Sequence, residues 1–81
     1  MNDLVIEHQA EQQRFVLSVG SATALLEYQL TGQHIDFYHT YVPPEFRGKG
    51  LAEQLVKHAL NWAKAAGYQP SASCSYVKRF I

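Results

Sequence analysis

The sequence predicts one α+β domain, built as a mostly antiparallel sheet of about five strands with one long helix between the fourth and fifth strands. Two observations lead to this fold class. Apolar residues follow a two-residue period from position 4 to position 42, and they follow a helical period from position 51 to position 66. The chain has 81 residues, which is too few for two ordinary domains, so residues 1–81 are expected to form a single one.

The first half of the chain is expected to form four strands with short connections, which favour antiparallel neighbours. The alternating pattern places these strands at residues 4–6, 15–19, 22–30 and 34–42. Gly32 lies in the last of the connections and supplies the positive φ that a tight hairpin needs. Simple alternation along the fourth strand puts four side chains on one face: Ile35, Phe37, His39 and Tyr41.

The second half is expected to begin with the long helix, after Pro43 and Pro44 have ended the fourth strand. The helix has an apolar stripe formed by Leu51, Leu55, Ala59, Trp62, Ala63 and Ala66. Its opposite, polar stripe consists of Glu53, Lys57, Asn61 and Lys64. Gly67 ends the helix, residues 68–74 form a fifth strand, and Ser75 begins a short C-terminal helical turn. The intervening helix allows the fourth and fifth strands to run parallel.

Composition and charge exclude several classes of protein. The chain is 47% hydrophobic, as globular proteins are, and its seven basic residues balance seven acidic ones. The basic pairs Arg47/Lys49 and Lys78/Arg79 suit a phosphate or two, so we expect no nucleic-acid partner. Neither a membrane-spanning run nor a signal peptide is present, which favours a cytoplasmic location without a membrane partner. We expect no metal site and a monomer or weak homodimer.

The junction between residues 42 and 52 carries the strongest functional signal. A strand ends there, a loop with two glycines follows, and a helix begins with its first amide donors unpaired. Such donors, together with the helix dipole, form an anion site. Gly48 and Gly50 allow close approach of an oxygen-rich group, and Arg47 and Lys49 add positive charge. The spacing fits neither the nucleotide-triphosphate loop nor the dinucleotide fingerprint, and a diphosphate is the natural ligand.

The segment VPPEFRGKGLAEQL, residues 42–55, resembles the acyl-CoA pyrophosphate loop of the GNAT acetyltransferase superfamily. The superfamily pattern is Gln or Arg, two residues, Gly, one residue, then Gly or Ala. Gly48 and Gly50 match this pattern, and Glu45 occupies the position that Gln or Arg usually holds. The small stand-alone members of the superfamily are also similar at other points, so the resemblance covers most of the chain: Glu27-Tyr28, His39-Thr40 and Cys74-Ser75-Tyr76-Val77.

The resemblance implies an acetyltransferase that uses acetyl-CoA and passes the acetyl group to an amine whose identity the sequence does not give. The pyrophosphate would be held by the backbone amides of Arg47, Gly48, Lys49, Gly50, Leu51 and Ala52. The pantetheine arm would follow the fourth strand at Thr40, Tyr41 and Val42, where the fourth and fifth strands separate. A non-catalytic acyl-CoA-binding module, or a partner-binding domain, is the alternative.

Three residues are candidate catalytic groups. Cys74 precedes a helical turn whose N-terminus favours the thiolate, and small superfamily members carry a cysteine there, although single buried cysteines also serve as packing residues. His39 suits a general base and could equally be a packed core histidine. Tyr76 could protonate the departing CoA thiolate, as a tyrosine after the fifth strand does in many relatives, and it could equally be a packing residue. Two routes stay open: direct attack by the amine, with His39 or water as base, and prior acetylation of Cys74.

The remaining polar and aromatic residues are given structural roles. Four dispersed histidines without a spacing motif make a weak metal signal, and His8 and His58 are expected to be solvated. Trp62 is expected to join the core from the apolar stripe of the helix. Surface or pairing roles are expected for Glu27, His34 and Asp36.

Overall fold

A computed structural model describes residues 5–46 and 48–81, and its elements follow the predicted order. Leu4, the predicted start of the first strand, and Arg47 in the glycine loop lie outside these described residues. The strands are β1 (Val5–Gln9), β2 (Arg14–Val19), β3 (Ala22–Thr31), β4 (His34–Tyr41) and β5 (Gln69–Ala72). The helices are α1 (Leu51–Ala65) and the short α2 (Ser75–Lys78), and 3₁₀ turns occupy Ala10–Gln12 and Pro44–Phe46.

The five strands form one sheet in the order β1-β2-β3-β4-β5. The first four are antiparallel neighbours, and β5 runs parallel to β4 because α1 carries the chain back across the sheet. The α+β fold class, the five strands, the long helix between strands four and five and the short C-terminal helix are therefore confirmed. No helix within residues 5–46 and 48–81 is long and apolar enough to cross a membrane.

The core lies between α1 and one face of the sheet. The sheet contributes alternate residues, of which Phe15, Leu17, Leu26, Ile35 and Phe37 are fully buried. The apolar stripe of α1 meets them with Leu55, Ala59 and Ala63 buried and Leu51 and Trp62 partly buried. Ala66, the predicted last member of the stripe, lies just past the helix and is exposed. The polar stripe predicted for the helix is exposed along its whole length: Glu53, Lys57, Asn61 and Lys64.

The fourth strand departs from simple alternation because it contains a β-bulge. His39 pairs with Glu27, whereas Phe37 pairs with the next residue along β3, so Tyr38 is left as the extra residue. Beyond the bulge the faces exchange: Thr40 pairs with buried Leu26 on the α1 side, and His39 and Tyr41 are exposed. The predicted shared face of Ile35, Phe37, His39 and Tyr41 is therefore wrong, because one inserted residue reverses the alternation.

The first strand continues to Gln9, three residues beyond its predicted end, and this extension places His8 in the aromatic part of the core. The His8 ring stacks on Phe15 with centroids 4.1 Å apart and meets the edge of Trp62 at 4.4 Å. His8 Nε2 and the Tyr28 hydroxyl are hydrogen-bonded at 2.6 Å. The expectation of a solvated His8 is therefore wrong, because its strand pairs with Phe15; His58 is exposed as predicted.

Lowering the pH below neutrality should destabilise the fold through His8. Burial, and secondly the neighbouring His58, lower the pKa of His8, so the folded state binds the proton more weakly than the unfolded state. The contribution to the free energy of unfolding is complete above the unfolded pKa of about 6.5 and declines as the pH falls below it. Urea unfolding at pH 7.5 and pH 5.5 measures the decline.

The matched variant for this measurement is His8→Phe, which keeps an aromatic ring in the stack and removes the titration. The difference in unfolding free energy between the two pH values should be smaller in the variant than in the original chain. An equal difference in both proteins would show that His8 does not cause it.

Candidate functional site

The chain after β4 forms a compact loop that leads directly into α1. The 3₁₀ turn is closed by the Phe46 amide, which donates to the carbonyl of Pro43 at 3.0 Å. Gly48 and Gly50 both have left-handed backbone conformations, with φ of 76° and 71°. Gly50 is the residue that precedes α1, and its carbonyl accepts a hydrogen bond from the Gln54 amide at 3.2 Å. The loop geometry therefore depends on glycine at both positions.

The side of the loop that the two glycines present is open. A Cβ atom built on Gly48 or Gly50 would have no atom within 4 Å. The first amides of α1, which have no intrahelical acceptor, begin directly after Gly50. Open space beside unpaired donors at the positive end of a 15-residue helix is the arrangement that binds an anion.

A cavity of about 330 Å³ adjoins this helix terminus, at the lower end of the size range of small-molecule pockets. It is lined by Val42, Phe46, Gly48, Gly50, Ala52, Glu53 and Tyr76. Four of the predicted cofactor-binding residues are in this lining, namely Val42, Gly48, Gly50 and Ala52. Lys49 and Leu51 belong to the same stretch of chain without lining the cavity, and Thr40 and Tyr41 lie further back on β4.

The bulge in β4 coincides with the point where β4 and β5 separate. Their parallel register ends at the pair Phe37 and Ala72. One further bond follows, in which the Cys74 amide donates to the Phe37 carbonyl at 3.1 Å. Beyond this bond, β4 and the segment after β5 contact each other through side chains. Thr40 Oγ1 lies 3.4 Å from Cys74 Sγ. The bulge is what turns Thr40 towards Cys74.

The environment of Cys74 favours its thiolate. Burial alone raises the pKa of the thiol, but the hydrogen bond with the Thr40 hydroxyl and the proximity of the backbone amides of Val77, Tyr76 and Thr40 together outweigh burial. Two of these amides belong to the first turn of α2, for which Cys74 is the N-cap residue. The net effect is a pKa below the usual value for cysteine, and the thiol is free and only partly buried. A lowered pKa and partial exposure are what a nucleophilic cysteine requires.

Tyr76 lines the cavity and lies two residues after Cys74 in the sequence. Its ring packs against Phe80 with centroids 5.4 Å apart, and the Arg79 guanidinium carbon is 5.7 Å from the ring centroid. Burial raises the pKa of the Tyr76 hydroxyl; Arg79 opposes this effect and Glu53 adds to it. Tyr76 therefore keeps its proton at neutral pH, as a proton donor must.

His39 is not in the cavity. Its side chain is 54% exposed on the sheet face that α1 does not cover, and its Nε2 is 4.0 Å from Glu27 Oε1. The alternative role of His39 as a packed core histidine is wrong, because the β-bulge places its side chain on the exposed face of the sheet. The structure thus brings Cys74, Thr40 and Tyr76 together on the α1 side of the sheet and places His39 on the other side.

A polar network holds the end of β5 next to β4 just before Cys74. Asp36 accepts hydrogen bonds from the Ser73 amide at 2.9 Å, from the Ser73 hydroxyl at 2.7 Å and from the Ser71 hydroxyl at 3.2 Å. His34 Nε2 is also 2.9 Å from the Ser71 hydroxyl oxygen. The pairing roles expected for Asp36 and His34 are therefore confirmed, and the network fixes the chain from which Cys74 projects.

Two residues of the site, Phe46 and Glu53, and one contact, that of Thr40 with Cys74, were not predicted from the sequence. The side chain of Thr40 contacts Cys74, but only the bulge reveals this, and alternation gives no signal for a bulge. Phe46 and Glu53 line the cavity, and both lie within the 42–55 segment that the superfamily resemblance covers. Their position close to Gly48 and Gly50 in the sequence is the signal that could have identified them as site residues.

Removing the Thr40 hydroxyl should make Cys74 less reactive. In Thr40→Val the thiol loses its side-chain hydrogen bond while the volume at position 40 is nearly kept, so its pKa should rise. Alkylation of Cys74 by iodoacetamide at pH 7 should then slow by about threefold to tenfold. Thr40→Ser keeps the hydroxyl and serves as the matched control. Equal alkylation rates for the valine and serine variants would contradict the assigned hydrogen bond.

The sheet with its bulged fourth strand, the glycine loop and the helix that follows define a GNAT-type domain. Residues 14–81 match the family model described as GCN5-related N-acetyl-transferase, so the chain belongs to that family. Within residues 5–46 and 48–81, no group of three or more His, Cys, Asp or Glu side chains is placed to hold a metal ion.

Individual relatives agree with this membership. The chain is 30% identical over 79 residues to Protein NATD1 of Bos taurus and 29% identical over 79 residues to Protein NATD1 of Homo sapiens. Each match covers 94% of this chain and 70% of the relative. The solution structure of a GCN5-like protein from Staphylococcus aureus superposes with a TM-score of 0.76 at 26% identity, covering 99% of this chain and 79% of that one. The resemblance to the superfamily is thus confirmed.

Proposed function

We propose that this chain is an acetyltransferase that binds acetyl-CoA and transfers the acetyl group to an amine. Family membership supports the reaction class. One geometric observation carries the proposal: the cavity at the N-terminus of α1 is bordered by Tyr76, two residues from the activated thiol of Cys74. The proposed pyrophosphate site and the thiol of Cys74 would then share one end of the sheet, as binding of the phosphate groups and the thioester of one CoA molecule requires.

The residues present suit acetyl-CoA. The pyrophosphate would lie against the amides of residues 47–52, where the open sides of Gly48 and Gly50 leave room for its oxygens. The pantetheine arm would extend along Thr40, Tyr41 and Val42, where β4 no longer has β5 as a neighbour. A β4 amide in this gap would donate to the thioester carbonyl and stabilise the negative charge that develops on its oxygen.

Two routes for the transfer are compatible with these positions. In the covalent route, the Cys74 thiolate attacks the thioester carbonyl carbon, the bond from that carbon to the CoA sulfur breaks, and the CoA thiolate takes a proton from Tyr76. The amine then attacks acetyl-Cys74 and releases the Cys74 thiolate, while the proton lost by the amine returns to Tyr76 through solvent. The lowered pKa of Cys74 favours this route.

In the direct route, the amine attacks the acetyl-CoA thioester itself and gives its proton to a base, which is either His39 or water. His39 would be that base for an amine that approaches from the sheet face not covered by α1, because His39 is exposed there. Tyr76 would again protonate the CoA thiolate from the opposite side. In this route Cys74 only lines the gap between β4 and β5.

The test combines calorimetric titration with acetyl-CoA and a thiol-release assay with lysine peptides, polyamines and small primary amines. We expect binding with one site per chain and release of CoA that depends on an added amine. Binding without release on every acceptor would contradict the transferase and favour the non-catalytic acyl-CoA-binding module. Absence of binding would contradict the whole proposal and leave the partner-binding domain.

A further inference from the structure

The segment that follows β5 is only weakly held by backbone pairing. β5 lies at the edge of the sheet and has four residues, one of which is Pro70, which has no amide to donate. Its pairing with β4 ends at Phe37 and Ala72, and the Cys74 amide then donates to the Phe37 carbonyl. Side chains must therefore help to hold residues 73 and 74 next to β4.

The carboxylate of Asp36 supplies acceptors at the place where the pairing of β4 and β5 ends. Its neighbours Ile35 and Phe37 are buried on the α1 side, so Asp36 lies on the sheet face that α1 does not cover, which we call the uncovered face. Its Oδ1 accepts from the Ser73 amide at 2.9 Å, and its Oδ2 accepts from the Ser73 hydroxyl at 2.7 Å. Two hydrogen bonds to one residue fix both the position and the orientation of that residue, and bonds to a carboxylate are stronger than bonds between neutral groups.

Cys74 comes directly after Ser73, and its side chain lies on the other side of the sheet. It is partly buried against the core beneath α1, with its thiol 3.4 Å from the Thr40 hydroxyl oxygen. It is also the residue from which α2 begins. The Asp36 carboxylate therefore holds the backbone from which the thiol projects, while the groups that favour the thiolate lie on the opposite face. A displacement of that backbone would move the thiol away from those groups.

We propose that Asp36 is a positioning residue for the thiol of Cys74. By holding Ser73 from the uncovered face, its carboxylate keeps the thiol at the Thr40 hydroxyl and at the first turn of α2. The consequence for acetyl transfer rests on the proposed function and applies to its covalent route. The consequence for the reactivity of the thiol does not involve acetyl-CoA, so it can be measured separately.

Positioning and simple electrostatics lead to opposite expectations for this carboxylate. Asp36 and the thiolate are both negative, so any direct effect of the carboxylate charge would raise the pKa of the thiol, and its removal would speed alkylation. If Asp36 acts through position, its removal weakens the hydrogen bonds to the thiolate and slows alkylation. A purely stabilising role would lower the free energy of unfolding and leave the pH dependence of alkylation in the folded chain unchanged.

The test measures the rate of alkylation of Cys74 by iodoacetamide as a function of pH. Asp36→Ala removes the hydrogen bonds to Ser71 and Ser73, so it should shift the profile to higher pH and slow alkylation at pH 7 by about threefold to tenfold. Asp36→Asn keeps an oxygen for the Ser73 amide, and its NH₂ group can donate to the Ser73 hydroxyl, so its rate should stay within about twofold of the original. Glu7→Ala removes an exposed carboxylate of β1 from the same face and should leave the profile unchanged.

Ser73→Ala is a milder variant, which decides the matter if Asp36→Ala does not fold. It removes the 2.7 Å hydrogen bond, while the amide bond and the charge of Asp36 remain. Alkylation at pH 7 should therefore slow by about twofold. In that case an unchanged rate in Ser73→Ala would overturn the inference.

Faster alkylation in both Asp36 variants would show that the carboxylate acts through its charge, and an unchanged profile in Asp36→Ala would leave it a purely structural role; either result would overturn the inference. In the CoA-release assay, Asp36→Ala should lower kcat/KM for acetyl-CoA by about the same factor as the alkylation rate, with the dissociation constant of acetyl-CoA within about twofold of the original. Absence of CoA release from the original chain would contradict the proposed function, while the alkylation profiles would still decide the role of Asp36.

Discussion

Alanine at both Gly48 and Gly50 should weaken acetyl-CoA binding by about a hundredfold, the largest effect on affinity that we expect. Both glycines have left-handed φ values, which alanine adopts at a cost of about 1–2 kcal/mol each. The loop would relax away from this conformation, and each added methyl group would occupy the open space that faces the proposed pyrophosphate. Calorimetric titration with acetyl-CoA measures the loss.

The chain contains a matched control for this double variant. Gly20 and Gly32 lie in hairpin turns, have φ of 61° and 59°, and likewise have no atom within 4 Å of an added Cβ. Gly20→Ala/Gly32→Ala should therefore lose a similar amount of stability in urea unfolding while keeping its acetyl-CoA affinity. Equal loss of affinity in the two double variants would mean that strain alone is responsible, and the glycine loop would then have no special role in binding.

Replacing Cys74 with alanine should reduce amine-dependent CoA release by at least about a hundredfold if transfer proceeds through acetyl-Cys74. Among residues 5–46 and 48–81 the thiol has one side-chain hydrogen-bond partner, Thr40, so the acetyl-CoA affinity should change by no more than about twofold. Intact-mass measurement after exposure to acetyl-CoA, without an acceptor, should find one added acetyl group on the original chain and none on Cys74→Ala.

The same experiment separates the two routes. Unchanged CoA release in Cys74→Ala would exclude the covalent route. A large loss in His39→Gln would then identify His39 as the base of the direct route, and a small loss would leave water as the base. In the covalent route His39→Gln should have a small effect, because His39 lies on the sheet face away from Cys74. Large losses in both variants would contradict the assignment of either residue as the sole reactive group.

The order of the elements was predictable because each depends on local signals. Apolar residues alternate along β2 and β3, and they follow a helical period from Leu51 to Ala63. Each pattern buries one face of its element, and its period identifies the element as a strand or a helix. The glycine loop was predictable for a similar reason, since the proline pair, the two glycines and the helix are adjacent in sequence. Residues adjacent in the sequence were therefore sufficient to predict the glycine loop, which lies at the centre of the candidate site.

The positions that were predicted wrongly depend on contacts between distant segments. His39 and Thr40 lie on the faces of the sheet opposite to those that simple alternation predicts, because β4 has one residue more than β3 at the bulge. Nothing in the β4 sequence marks this insertion. His8 is partly buried because β1 pairs with β2 as far as Gln9, beyond the apolar residues that suggested a strand. The contact of Thr40 with Cys74 joins residues 34 positions apart, which only the completed fold brings together.

The most direct test of the central claim is a titration of the ¹⁵N-labelled chain with acetyl-CoA, followed through backbone amide resonances. We expect the largest shifts at Gly48, Gly50, Leu51 and Ala52, with further shifts at Thr40, Cys74 and Tyr76. The hairpin amides of Gly20 and Gly32 should not move. Shifts confined to other parts of the sheet, or no shifts at millimolar acetyl-CoA, would contradict the claim that the N-terminus of α1 is an acetyl-CoA site.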